Sequence, residues 1–155
     1  HPYCYSLEGY WACGEYLKNK NYKLSCIKGV KWILKNININ GFPPRLRFKK
    51  KFNYYERIDI LAQSLRIILL NKKNIKLQKL ENMKLNLLIE NILNNQKINK
   101  RNKKVNGGFI WGKKSNGEIT NDVNTWVSSF ASQSLSLLIN NDTKKILKLN
   151  PFYLV

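Results

Sequence analysis

The sequence predicts an all-α chain of helical hairpins, and two observations carry that prediction. Apolar residues recur at three- and four-residue steps over several stretches of helical length, separated by short polar or glycine-containing breaks. The chain also repeats itself. Ala62-Gln63-Ser64-Leu65 nearly matches Ser132-Gln133-Ser134-Leu135, and each lies downstream of a glycine-aromatic turn. A repeat of this kind sets the architecture, since each unit buries its apolar face against a neighbour.

Taken in order, residues 3–18 form the first expected helix, with Tyr3, Leu7, Tyr10, Trp11, Gly14 and Leu17 as its apolar stripe. Asn19-Lys20-Asn21 breaks it, and a second helix runs from about Tyr22 to Ile37 through Leu24, Ile27, Val30, Trp32, Ile33 and Leu34. So short a break makes the two antiparallel neighbours. Asn40-Gly41-Phe42-Pro43-Pro44 cannot continue a helix. The loop that follows, up to Tyr55, is long, basic and aromatic (Arg45, Arg47, Phe48, Phe52, Tyr54, Tyr55), and long loops in compact folds are often functional.

The third helix is expected over Glu56–Leu70 and the fourth over Ile75–Asn95, followed by a lysine-rich connection at 97–106 with no core of its own. Gly107-Gly108-Phe109 makes a tight turn, a loop carries Asn116-Gly117, and the last long helix opens at Asn121 or Asp122. Asp122 is the expected N-cap, its carboxylate accepting from free N–H groups at the positive end of the helix dipole. Val123, Trp126, Val127, Phe130, Ala131, Ser134, Leu135 and Leu138 then line one face, with Trp126 expected in the core. Lys144–Leu149 reads as one more helical turn before Pro151.

At 155 residues the chain is long enough for one domain with a real core. It begins at His1 inside what already reads as motif, which suggests the C-terminal part of a larger repeat protein. The partner of the first helix would then lie in the missing N-terminal part. No apolar run reaches the roughly 20 residues that span a bilayer. The formal charge of +19 would suit a polyanion. Yet Lys and Asn fill every variable stretch, as AT-rich coding favours, and no recognition motif accompanies them, so nucleic acid is not the expected partner. The field would still attract an anionic substrate. Cys4, Cys13 and Cys26 have neither CxxC nor zinc-finger spacing. They are expected as buried free thiols, consistent with a reducing, cytoplasmic compartment.

Gly107-Gly108-Phe109, the loop, Asp122, Thr125 and Phe130-Ala131-Ser132-Gln133-Ser134-Leu135 resemble the repeat of the terpenoid cyclase and protein prenyltransferase superfamily. The resemblance covers 107–138 well, 41–70 more loosely and the first hairpin hardly at all. It implies an (α/α) toroid, with an inner ring of helices starting at one mouth and an outer ring returning. Glycan-acting toroids, among them polysaccharide lyases, uronyl epimerases and unsaturated glucuronyl hydrolases, share that architecture. The Asp-x-Asp-Asp cluster of squalene-type cyclases is absent, and with one histidine and no cysteine after Asp122 the prenyltransferase zinc set is missing too. No metal or cofactor is expected.

The nine acids are unevenly placed: Glu8, Glu56, Asp59, Glu118 and Asp122 fall at or near the expected inner-helix N-termini or the loops feeding them. Carboxylates, arginines and aromatics gathered at a toroid mouth supply what acid/base work on a sugar needs. Glu8 and Asp59 are the candidate acid/base carboxylates. His1, Tyr5, Tyr55, Arg57, Gln63, Arg66, Trp111 and Asn124 are the candidate substrate-binding residues. The duller reading makes Asp122 a cap and has Gln63 and Gln133 bonding between inner helices. The leading expectation is a carbohydrate-active or polysaccharide-biosynthesis protein that binds a polar or acidic glycan. The alternatives are an isoprenoid-type enzyme fragment whose acids lie in the missing N-terminal half, and a non-catalytic repeat scaffold or a polyanion binder using the lysines.

Overall fold

The structure, a computed structural model, describes residues 1–114 and 116–140. Its helices are α1 (Pro2–Tyr16), α2 (Lys20–Asn36), α3 (Ile58–Leu70), α4 (Lys79–Leu93) and α5 (Thr125–Asn140). Strands β1 (Leu46–Phe48) and β2 (Lys51–Asn53) form one antiparallel hairpin, and β3 (Ile110–Lys113) and β4 (Ile119–Val123) another. The chain is therefore mostly helical rather than all-α. β1, β2 and β3 occupy stretches the sequence reads as turn or loop, and β4 takes Asn121–Val123 from the expected start of the last helix, because the pairing is set by turns and backbone hydrogen bonds rather than by an apolar alternation. The expected turn at Lys144–Leu149 lies outside the described residues.

Local chemistry explains the helix boundaries. Pro2 opens α1, where its missing N–H costs nothing. The Asn19 side chain accepts from the backbone N–H groups of Asn21 and Tyr22 at 2.9 and 3.3 Å, so α2 starts at Lys20, inside the expected break. α4 starts four residues later than expected, after a 3-10 turn at Lys72–Asn74; the Gln78 N–H donates to the Glu81 carboxylate at 2.9 Å. The cap of α5 is not Asp122, which is exposed on β4. The hairpin carries the chain two residues further, and the Asn124 side chain accepts from the Val127 N–H at 3.1 Å instead. Replacing Asn124 with alanine is expected to cost about 1 kcal/mol, read as a lower urea midpoint at unchanged m.

α3 organises the packing. Each of its residues from Ile58 to Leu70 is buried, so this helix is covered on all sides. α5 packs along it most extensively, α1 lies on it as well, and α2 and α4 pack against α1 and α3 respectively while touching each other. The odd-numbered helices thus share one layer. α1 and α2 approach closely because Gly29 leaves room for Leu7: a Cβ there would lie 2.2 Å from Leu7 Cδ2. The core runs through Leu7, Trp11, Val30, Leu34, Leu61, Leu65, Leu88, Ile92, Val127 and Ala131. Of the expected stripes, Tyr3, Tyr10, Leu17, Leu24 and Trp32 are exposed instead, since α1 and α2 each present only one narrow face to the core. Cys4 and Cys26 are buried free thiols as expected, while Cys13 is exposed.

Candidate functional site

Three helices contribute side chains at the same spacing. His1, Tyr5 and Glu8 belong to α1 and its cap, Asp59, Gln63 and Arg66 to α3, and Trp126, Phe130 and Gln133 to α5. Steps of four and then three residues bring each set onto one helix face. Because the helices run in the same direction, the sets meet tier by tier.

In the outermost tier His1 Nδ1 lies 3.6 Å from Asp59 Oδ2. Asp59 is 1% exposed and accepts from Arg57 Nε at 3.0 Å, from Arg57 Nη2 and from the Ile60 N–H at 2.9 Å. In the middle tier Tyr5 meets Phe130 edge-on, ring centroids 6.0 Å apart, and His1 at 4.9 Å. The Tyr5 hydroxyl faces the Gln63 amide without closing a hydrogen bond of ordinary geometry. Gln63 is fully buried, and neither its Nε2 nor its Oε1 has a hydrogen-bond partner among the described residues. In the innermost tier Arg66 donates from Nε and Nη2 to the two Glu8 oxygens at 2.9 and 2.5 Å and from Nη1 to the Gln133 side-chain oxygen. The same guanidinium stacks over Phe130 at 5.3 Å.

The electrostatics follow from burial. Desolvation raises the Glu8 carboxyl above its ordinary range, and Arg66 pulls it back down in part. Burial also raises the Tyr5 phenol, the Gln63 side chain opposes it, and Glu8, Arg66 and Asp59 follow in that order, so the two candidate carboxylates act on one hydroxyl. Behind them, the Cys4 thiol, 3.7 Å from Ser64 Oγ, is pushed up by desolvation. Of the two acids, Glu8 keeps an exposed edge, at 12%, and burial raises its carboxyl while Arg66 opposes the rise. Asp59 is enclosed and fully engaged with Arg57.

Trp111 on β3 extends the cluster, because Arg57 and Arg45 both stack against its indole. Two candidates lie apart. Tyr55 is 46% exposed in the segment before α3, and its ring faces Gly117 on the far hairpin. Asn124 caps α5 and, with Thr125, Trp126 and Ser129, lines an open depression of about 510 Å3. Trp126 is not core: it is 55% exposed, touching Phe130 edge-on at 5.3 Å. The depression therefore adjoins the tiers through the Trp126–Phe130–Tyr5 chain of rings.

Sequence reasoning gave no role to Phe130 beyond the core and none to Arg45 beyond its loop. The four-plus-three spacing of α5 carried the signal for Phe130. Nothing local marks Arg45, whose Nη1 reaches the Lys113 carbonyl 68 residues away. Glu118 and Asp122 stay outside the cluster, Glu118 pairing with Lys114 in the β3–β4 turn. Among the described residues no group of three or more His, Cys, Asp or Glu side chains has the arrangement of a metal site. No described helix is long and apolar enough to cross a membrane. Compared with protein-family models, curated proteins and solved structures, the chain matches none.

Proposed function

We propose that this chain binds a polar glycan at the end of the α1–α3–α5 layer, in a carbohydrate-active or polysaccharide-biosynthesis role. The observation that carries the reading is the run from the buried tiers to the open depression. Exposed Trp126 is flanked there by the hydrogen-bonding side chains of Asn124, Thr125 and Ser129. An indole offers an apolar face to a sugar ring while hydroxyls and amides meet its rim, the division of labour most small-ligand sites use. The alternation of α1, α3 and α5 with α2 and α4 supports a toroid-like arrangement with this layer innermost. An isoprenoid reading calls for an aromatic-lined apolar cavity, and the polar tiers favour sugar over it.

Titration calorimetry against neutral and acidic oligosaccharides tests the proposal. Trp126→Ala is expected to weaken binding about tenfold, roughly the energy of one aromatic contact, with unchanged helicity because the side chain is surface-exposed. Oligosaccharide binding that is absent, or that ignores Trp126, sinks the reading.

Glu8 carries the catalytic version of the proposal. Glu8→Gln is expected to abolish any glycan turnover while leaving sugar affinity within a few-fold. Asp59→Asn is expected to act through Arg57 and lower affinity first. Turnover unaffected by Glu8→Gln would remove Glu8 from the chemistry.

A further inference from the structure

Arg45 and Arg57 come from different elements, one just before β1 and one at the N-cap of α3. Both set their guanidinium against Trp111, with Cζ 5.4 and 4.7 Å from the ring centroid. Backbone pairing holds the arrangement together. Arg57 bridges Gly112 in antiparallel fashion, and the Lys113 N–H donates to the Glu56 carbonyl at 2.7 Å. The Arg45 N–H donates to the Asn53 carbonyl at 2.8 Å, and Arg45 Nη1 to the Lys113 carbonyl at 2.7 Å.

The charges do not balance. Asp59 pairs with Nε and Nη2 of Arg57 and acts on Arg45 only through its charge. The nearby Lys113 and Glu56 offset each other at 3.9 Å. Arg45 Nε and Nη2 and Arg57 Nη1 make no hydrogen bond among the described residues. Two like charges held against one ring repel unless something anionic offsets them. Burial first and the Arg57 charge second lower the Arg45 pKa, while Asp59 opposes them. The α3 N-terminus adds its positive dipole end at the same place. Guanidiniums are the groups best shaped to hold a carboxylate through paired N–H donors.

We propose that Arg45 and Arg57, braced on Trp111, form a subsite for the carboxylate of an acidic sugar, so that the glycan bound at the helix layer is a uronate-containing one. This rests on the glycan reading above and adds to it the charge of the ligand and a residue, Arg45, that recognises it.

The test compares trigalacturonate with its methyl ester, in which each carboxylate is methylated and uncharged, by titration calorimetry at moderate salt. The wild-type chain is expected to favour the acid at least tenfold. Arg45→Gln is expected to erase that preference and leave the affinity for the ester unchanged. Arg47→Gln removes the same charge from an exposed position on β1 and is expected to keep the preference. Equal affinity for acid and ester, or a preference that survives Arg45→Gln or falls equally with Arg47→Gln, overturns the subsite and leaves glycan binding standing. If neither sugar binds, glycan recognition fails, and sulfate titration followed at the arginine Nε–Hε resonances judges the oxyanion site separately. Saturable shifts at Arg45 and Arg57 uphold that site, and shifts spread evenly over the surface cations overturn it.

Discussion

Arg66→Met is expected to cost about 3–5 kcal/mol of folding stability at neutral pH, the largest loss from any single polar side chain in the cluster. Arg66 is 2% exposed and closes two hydrogen bonds to Glu8, which is itself only 12% exposed. Methionine fills much of the volume but leaves the carboxylate buried without a counter-charge and the Gln133 oxygen without its donor. The double variant Arg66→Met with Glu8→Leu is expected to recover most of the loss, since removing both charges also removes the desolvation that the pair has to offset. Urea denaturation gives both numbers. A loss below about 1 kcal/mol for the single variant would mean that Glu8 relaxes into solvent, so that the pair does not brace the layer.

The same pair sets a pH dependence. Burial raises the Glu8 carboxyl above its ordinary 4.5 in the folded chain, so the folded state holds this proton more tightly than the unfolded one. The stability contributed by that proton is complete below about pH 4.5 and is lost as pH rises through the folded-state pKa. Glu8→Gln should flatten that part of the profile. Arg66→Met should extend it to higher pH, because the attraction that opposes burial is gone.

Gly112→Ala is the second large effect, at about 3 kcal/mol. Gly112 has φ +109, and a Cβ there would sit 2.6 Å from the Glu56 carbonyl oxygen and 3.3 Å from Arg57 Cα, both backbone atoms that cannot swing aside. The substitution therefore pushes β3 away from the start of α3, the contact that sets Trp111 beside Arg57. A lower melting temperature is expected together with faster amide exchange at Lys113, whose N–H bonds the Glu56 carbonyl. Loss of the preference for acidic sugar should accompany it. Unchanged exchange at Lys113 would show that the β3–α3 junction absorbs a side chain.

The helices follow from local sequence. Apolar periodicity is a local property, and α1, α2, α3 and α5 follow it to within a few residues, although α5 caps on Asn124 rather than on the expected Asp122. The polar spacing on α1 and α3 was legible too, because residues four and three apart share a helix face. The β hairpins were not. Asn116-Gly117 was the one short-range signal for β3–β4, and Lys49-Lys50, with Lys49 at φ +54, gives no comparable cue for β1–β2.

Tertiary structure alone decided which charges meet. Glu8 finds Arg66 across 58 residues and Arg45 reaches Lys113 across 68, separations at which spacing carries no information. It also decided that Gln63 is enclosed while its repeat counterpart Gln133 bonds Arg66, although the two share a motif. α3 is covered on every side and α5 on only part of its surface, so the same residue meets a different dielectric and different neighbours in each repeat.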